Sequence, residues 1–360
     1  MSDAHPLISC LRCPVTRSRV SQFTLGNDTC VVSDMGILYP FIDGVLVMNP
    51  VAPAIKEKCS AFLSRNVNHL KYLGNLIDLD KTKEILLSKA NSEEGIWHEK
   101  EMAYWETVFE SALSNRRRAH PGWNRTLPRA KVLSRLPDNI NRQIILEIGC
   151  GATHTLSDIY GEGVPNYIGM DLAFHACVLS KKRFPEGLFI QASVENLPFV
   201  ENSLDMIVGY GVLHHLPGHE ENLTTLLPAI KSGGYFVGSD PVLKPRIPRP
   251  VFLKSQMAPK DKESHSALDL RTGMSPHNEW IDWDNLKNVI SGHATIAYAS
   301  FEYSVLRHLL VTIFYDRLKI QTPWFTKMII FADQFWLATF GQLHRAFGPA
   351  GVQYALKKEF

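Results

Sequence analysis

The sequence predicts an α/β protein: a doubly wound sheet of seven strands, a small β-rich ribbon domain ahead of it, and added helices. Three observations carry this. Ile145–Gly151 (I-L-E-I-G-C-G) reads as an apolar strand that meets an acidic residue and then a two-glycine turn. Tyr167–Asp171 (Y-I-G-M-D) reads as a second strand that closes on a carboxylate. Three further strands follow in order: Leu188–Ala192, Asn202–Gly209 with Asp205 at its start, and Ser232–Ser239 behind a glycine turn.

A strand, a glycine turn and a helix in this order make a crevice at the carboxyl ends of parallel strands, with Asp171 where a ribose would sit. The residues disfavour a dinucleotide. A pyrophosphate needs bare backbone amides and no nearby anion. Here Glu147 ends the strand, and the third-glycine position, counted from Gly149, is His154. A carboxylate repels phosphates and attracts an ammonium or a sulfonium. S-adenosylmethionine carries both cations and no phosphate.

The later segments supply S-V-E-N-L-P-F (193–199), Y-G-V-L-H-H-L (210–216) and S-G-G-Y-F-V-G-S (232–239). With E-I-G-C-G, this ordered set resembles the class I S-adenosylmethionine-dependent methyltransferases, in the branch with E-x-G-C-G, L-P-F and L-H-H. The resemblance spans Gln143 to Pro241 and implies a Rossmann-like methyltransferase sheet. It places Glu147, Gly149 and Gly151 along the methionine end of the cofactor, with Cys150 inside the turn. It gives Asp171 the ribose hydroxyls, with Leu172 beside it. Ser193 and Val194 stand where the family usually has D-A beside the adenine; the hydroxyl and the Val194 amide still offer hydrogen bonds there. The turn reads G-C-G-A-T, with Thr153 where a further glycine is common. Thr153 either bonds the methionine carboxylate or marks a weaker site. Asp205 reads as a structural residue at a strand entry.

Methyl transfer is an in-line displacement that depends on positioning in a dry pocket. An amine acceptor needs little more than loss of a proton, whereas a hydroxyl wants a base. His214 and His215 follow the fourth strand at the mouth of the crevice. Of the two, His215 is expected to face the acceptor, with packing as the other reading of both. Tyr210, at the strand end, is placed to shape the pocket around the sulfonium.

Composition sets the class. The chain has 360 residues with a formal net charge of +2, so nothing draws it as a whole toward nucleic acid or anionic membrane. The N-terminus lacks the basic and apolar regions of a secretory signal, and no stretch reaches the ~18 apolar residues of a membrane span. Six dispersed cysteines fit a reducing, cytoplasmic setting.

The ribbon is read over residues 1–52. Y-P-F-I-D-G-V-L (39–46) resembles the end of zinc-ribbon-like domains found with methyltransferases. That family uses paired Cys-x-x-Cys knuckles, but here Thr16 and Met35 replace ligands, and Cys10, Cys13 and Cys30 supply three thiolates where a closed site wants four. The expected ribbon is therefore metal-free, held by Leu38, Tyr39, Phe41, Ile42, Val45 and Leu46, with zinc completed by His5 as the alternative. It is read either as a docking platform or as packing for the catalytic domain.

Residues 53–135 read as helices that link the ribbon and cover the cofactor. Ile55, Phe62, Val67, Leu70, Leu73 and Ile77 recur at helical spacing, and Trp97, Tyr104, Trp105, Val108 and Phe109 follow. Arg116, Arg117 and Arg118 lie beside His120, as a solvated helix end or an anion site. The methyltransferase domain is read over 136–360, with a lid at 241–290 rich in proline and base (Lys244, Arg246, Arg249, Lys254). A helix begins near Glu279, with Trp280 and Trp283 read as core packing or a sugar-stacking pair. A sixth strand is expected near Thr295–Ala299, and the family resemblance implies that Gly351–Lys358 is the last strand, inserted antiparallel. Phe325–Phe340 is amphipathic, as a cap on the site or a homodimer face.

These observations predict a methyltransferase for a small-molecule acceptor or an activated sugar or glycan intermediate. Two rivals are weighed. An RNA base methyltransferase would need a stronger basic face. A non-catalytic scaffold would have a decayed cofactor turn.

Overall fold

The computed structural model describes residues 5–49, 53–87, 103–105, 142–151, 164–216, 218–242, 281–302 and 351–359, with scattered positions between 310 and 340. Four strands come first: β1 (Val20–Leu25), β2 (Asp28–Ser33), β3 (Leu38–Ile42) and β4 (Val45–Val47). Helices α1 (Pro53–Arg65), α2 (Val67–Tyr72) and α3 (Leu79–Leu87) follow. Then come β5 (Ile145–Ile148), β6 (Tyr167–Asp171), α4 (Phe174–Arg183), β7 (Leu188–Gln191), β8 (Leu204–Tyr210), α5 (His219–Leu226), β9 (Ile230–Asp240), α6 (Trp283–Ile290), β10 (Ala294–Glu302) and β11 (Gly351–Lys358).

The eleven strands among the described residues form one sheet, in the order β1-β2-β3-β4-β7-β6-β5-β8-β9-β11-β10. The sequence predicts seven strands in the main sheet and a ribbon set apart from it; among the described residues β5–β11 are seven, and the four ribbon strands extend them to eleven instead of standing apart. β4 pairs parallel with β7, setting Val45, Leu46 and Val47 against Phe189, Ile190 and Gln191. Both β4 and β7 would otherwise present open edges. β5, β6, β7, β8 and β9 pair in parallel, while β11 runs antiparallel between β9 and β10.

The central strands are continuous apolar runs because both faces are covered. Every residue of β5 and β7 is buried. One core runs from Leu7, Tyr39 and Leu46 through Ile148, Ile190 and Val208 to Tyr354. A smaller one joins the ribbon to its helices through Leu25, Cys30, Leu38, Phe62, Leu70 and Ile77. Val67, one of the apolar residues at helical spacing, is 39% exposed at the start of α2. α4 ends on Lys181, Lys182 and Arg183, whose charges suit its C-terminal dipole. α6 starts later than the sequence suggests, because Asp282 accepts from the amides of Asp284 and Asn285 and caps it.

The ribbon also grips the L-P-F segment. Arg17 Nη1 donates to the Leu197 carbonyl at 2.8 Å, the Arg12 amide to Pro198, and the Val200 amide to Cys10. Cys10, Cys13 and Cys30 are buried. The Cys13 sulfur lies 3.1 Å from the Tyr39 hydroxyl and accepts from the Thr16 amide. Burial pushes the Cys30 thiol up to about 12. Among the described residues no three His, Cys, Asp or Glu side chains gather as metal ligands, and no helix is long and apolar enough to cross a membrane. Trp324, Met328, Phe331 and Phe335 are exposed, and Ile329 is buried.

Candidate functional site

The site lies where β5 has a parallel neighbour on each side, with β6 on one and β8 on the other. This is the topological switch point of the sheet, where the turns after adjacent strands part and leave a crevice. Gly149 and Gly151 follow β5 with φ of +57° and +55°, a region L side chains rarely adopt. Space also demands glycine at 149: a Cβ there would stand 2.4 Å from Val212 Cγ2, in the segment after β8.

The turn is tied to its surroundings by short contacts. The Cys150 amide donates to the Met170 carbonyl at 3.1 Å, and Ser180 Oγ donates to the Gly151 carbonyl at 2.6 Å. Asp171 Oδ2 accepts from the Gly151 amide and Oδ1 from the Ala173 amide, each at 2.9 Å. The carboxylate expected to face the ribose is thus oriented by backbone amides.

Glu147 is 2% exposed, and its Oε2 accepts from the Tyr167 hydroxyl at 2.8 Å. Burial first, and then Glu147, raises the Tyr167 pKa well above its ordinary value, so the phenol keeps its proton. Cys150 is also fully buried. Burial first, then the neighbouring Cys177 thiol, raises its pKa well above the ordinary value. It is a neutral packing thiol beneath the turn.

On the far side, Gln191 closes β7. Its Nε2 donates to the Leu172 carbonyl at 3.0 Å and to the Asn49 carbonyl at 2.6 Å. Two carbonyl partners fix which end is nitrogen. Oε1 is buried with no hydrogen-bond partner among the described residues. Sequence reading missed Gln191; the available signal was a polar residue ending an otherwise apolar strand. Ser193 and Val194 are buried. Ser193 Oγ forms a local turn with Glu195, donating to Oε2 and accepting from its amide.

After β8, the buried Tyr210 is followed by Gly211 at φ +69°, whose amide donates to the Ser239 carbonyl at 2.7 Å. A single 3₁₀ turn, Leu213–His215, then presents both histidines. His214 is 9% exposed. Its Nδ1 lies 2.9 Å from Asp240 Oδ1, and its backbone amide donates to the same oxygen. Asp240 ends β9, and its Oδ2 accepts from the Tyr354 hydroxyl of β11 at 3.1 Å. Gly238 pairs with Tyr354, and a Cβ at 238 would lie 2.4 Å from Tyr354 Cζ. The glycine therefore lets the phenol ring lie across β9 and reach Asp240. His215 is partly exposed, with its ring 4.0 Å from that of His214 and 5.6 Å from that of Trp105. The carboxylate-held histidine is thus His214, whereas the sequence singled out His215. Asp240 stands just ahead of the lid and Tyr354 within the last strand, and neither carries a site signal in the sequence.

Asp205 stands away from this group. It accepts from the Ile144 amide and pairs with Lys231 Nζ at 2.9 Å, anchoring the start of β8. Trp97, Arg116–Arg118, His120, Thr153, His154, Trp280 and residues 243–280 of the lid lie outside the described residues.

Residues 146–238 match the protein family described as a methyltransferase domain. This stretch is similar to a methyltransferase domain over about a quarter of the chain. It contains every cofactor and catalytic candidate named from the sequence, and it stops short of Asp240 and Tyr354. The chain is 31% identical, over 99 residues, to the phthiotriol/phenolphthiotriol dimycocerosates methyltransferases of Mycobacterium tuberculosis (strain H37Rv) and Mycobacterium bovis. The match covers 27% of this chain and 37% of the length of those relatives. Among solved structures, the geranyl diphosphate C-methyltransferase of Streptomyces coelicolor aligns at TM-score 0.45 and 10% identity, over 65% of this chain and 76% of that one. Phosphoethanolamine N-methyltransferase 2 of Haemonchus contortus aligns at 0.44 and 13%, over 71% and 57%.

Proposed function

We propose that the chain transfers a methyl group from S-adenosylmethionine to a small-molecule acceptor or an activated sugar or glycan intermediate. The carrying observation is the Glu147–Gly149–Gly151–Asp171 arrangement: a buried carboxylate, a turn without side chains, and a second carboxylate held by the turn's own amide. These residues fit the cofactor. Glu147 lends negative potential to a site for a cation. Asp171 stands at the strand end where the ribose hydroxyls would be received, and Gln191 Oε1 is a buried acceptor that the adenine amino group would satisfy. When bound, the cofactor supplies an electrophilic methyl group on sulfur.

Acceptor choice is assigned to the lid at 241–290. Its sequence carries Lys244, Arg246, Arg249 and Lys254, which suit a phosphorylated, nucleotide-linked or acidic acceptor. The six cysteines are free thiols, in keeping with a cytoplasmic protein.

Calorimetric titration of the whole chain tests the reading. S-adenosylhomocysteine should bind, and Asp171→Ala should weaken it by about 1–3 kcal/mol through stranded polar partners. NAD or ATP binding in its place, or an unchanged affinity in the variant, overturns it.

A further inference from the structure

We infer that the reacting atom of the acceptor is a hydroxyl oxygen, with His214 as the base and Asp240, supported by Tyr354, as its positioning residue. This rests on the methyltransferase reading above. An amine is a good nucleophile once it has lost a proton to solvent, whereas a neutral hydroxyl is a weak nucleophile until its proton has a destination. The geometry supplies one. His214 has Nδ1 on a buried carboxylate, and Nε2 has no hydrogen-bond partner among the described residues. A carboxylate on Nδ1 fixes the tautomer with the proton there, which leaves Nε2 as the acceptor, and it stabilises the imidazolium that forms.

The support is built in depth. Asp240 is 3% exposed and receives hydrogen bonds from the His214 amide and from Tyr354, whose ring fits only because residue 238 is glycine. Burying a carboxylate without such partners is costly. The pair also sits beside the crevice: His214 follows Val212, which packs on Gly149 of the cofactor turn. In the step, the acceptor oxygen forms a bond to the methyl carbon as the carbon–sulfur bond breaks. The bonding pair stays on sulfur, the hydroxyl proton passes to His214 Nε2, and solvent later removes it.

The test follows tritiated methyl transfer from S-adenosylmethionine into phenol, 4-nitrophenol and methyl glucoside, with benzylamine and glucosamine as amine probes. Label should enter oxygen in at least one hydroxyl probe. His214→Gln should lower kcat for that probe about a hundredfold, with KM and S-adenosylhomocysteine affinity unchanged. Asp240→Asn should act in the same direction. Tyr354→Phe, which removes only a hydroxyl, should give a smaller loss of kcat and shift the downfield proton resonance of His214 Nδ1–H, which Asp240→Asn should abolish. The inference is overturned by label confined to nitrogen, by no label in any hydroxyl probe, by a kcat indifferent to His214→Gln, or by a resonance indifferent to both supporting variants. Failure to bind S-adenosylhomocysteine would instead sink the methyltransferase reading itself.

Discussion

Tyr167 and Glu147 meet across two neighbouring parallel strands, with the phenol donating to Glu147 Oε2 at 2.8 Å and both side chains almost wholly out of solvent. A buried carboxylate keeps its place only while its partners hold it. Tyr167→Phe removes the donor and little else. It should lower unfolding stability by about 1.5–3 kcal/mol, the range for a hydrogen bond to a charged group, and weaken S-adenosylhomocysteine binding. Denaturant unfolding and calorimetry check both; a neutral result in each would show that Glu147 does not depend on this donor.

Gly149 is required by backbone angle and by space. Gly149→Ala should cost about 1–3 kcal/mol from the left-handed conformation alone, with more from the collision with Val212. Val212→Ala removes the methyl carbons that collide, so the double variant should recover part of the loss. Thermal melts of the four proteins form the cycle. Strictly additive losses would remove Val212 from the explanation.

The β4–β7 junction joins the ribbon and the central sheet in one hydrogen-bonded sheet, which should unfold as one unit. Leu46 is fully buried within it. Leu46→Ala should destabilise the whole protein by about 2–5 kcal/mol, and scanning calorimetry should show a single transition moving down. Two transitions, with only one shifted, would mean that the ribbon melts independently.

Arg65 donates through Nε and Nη2 to Asp28, and Asn66 Nδ2 adds a third bond. The Arg65 hydrogen bond comes first in holding the Asp28 pKa below its ordinary 3.8, with Asn66 adding to it against a burial penalty. A depressed carboxylate pKa stabilises the fold above the unfolded value, and this contribution disappears as pH falls through the folded value. Asp28→Asn should therefore lower the urea midpoint near neutral pH and converge with the parent below about pH 4. Parallel curves down to acid would exclude this pair as a source of acid sensitivity.

Local signals explain what could be read in advance. Ile145–Ile148 and Tyr167–Asp171 are short apolar runs bounded by turn residues, and they appear as strands at those positions; Gly351–Lys358, expected from the family resemblance, is a strand as well. Glu147, Gly149, Gly151 and Asp171 were legible because each sits at a strand end, and strand ends are marked within a few residues. Asp240 and Tyr354 were not, because their meeting depends on β11 inserting between β9 and β10, across 114 residues of chain. The β4–β7 pairing is non-local in the same way. Nothing within Val45–Val47 names Phe189–Gln191 as its neighbour.

The position of β11 orders the events of synthesis. Among the described residues β10 joins the sheet through β11 alone, so a nascent chain can assemble the Gly149–Asp171 region while this margin still waits for residues 351–358. Until that last strand slides in, Asp240 lacks Tyr354 and the imidazole of His214 rests on a half-built brace. A ribosome stall or a protease nick upstream of Gly351 would then yield a molecule that still captures its cofactor while its proton acceptor hangs loose.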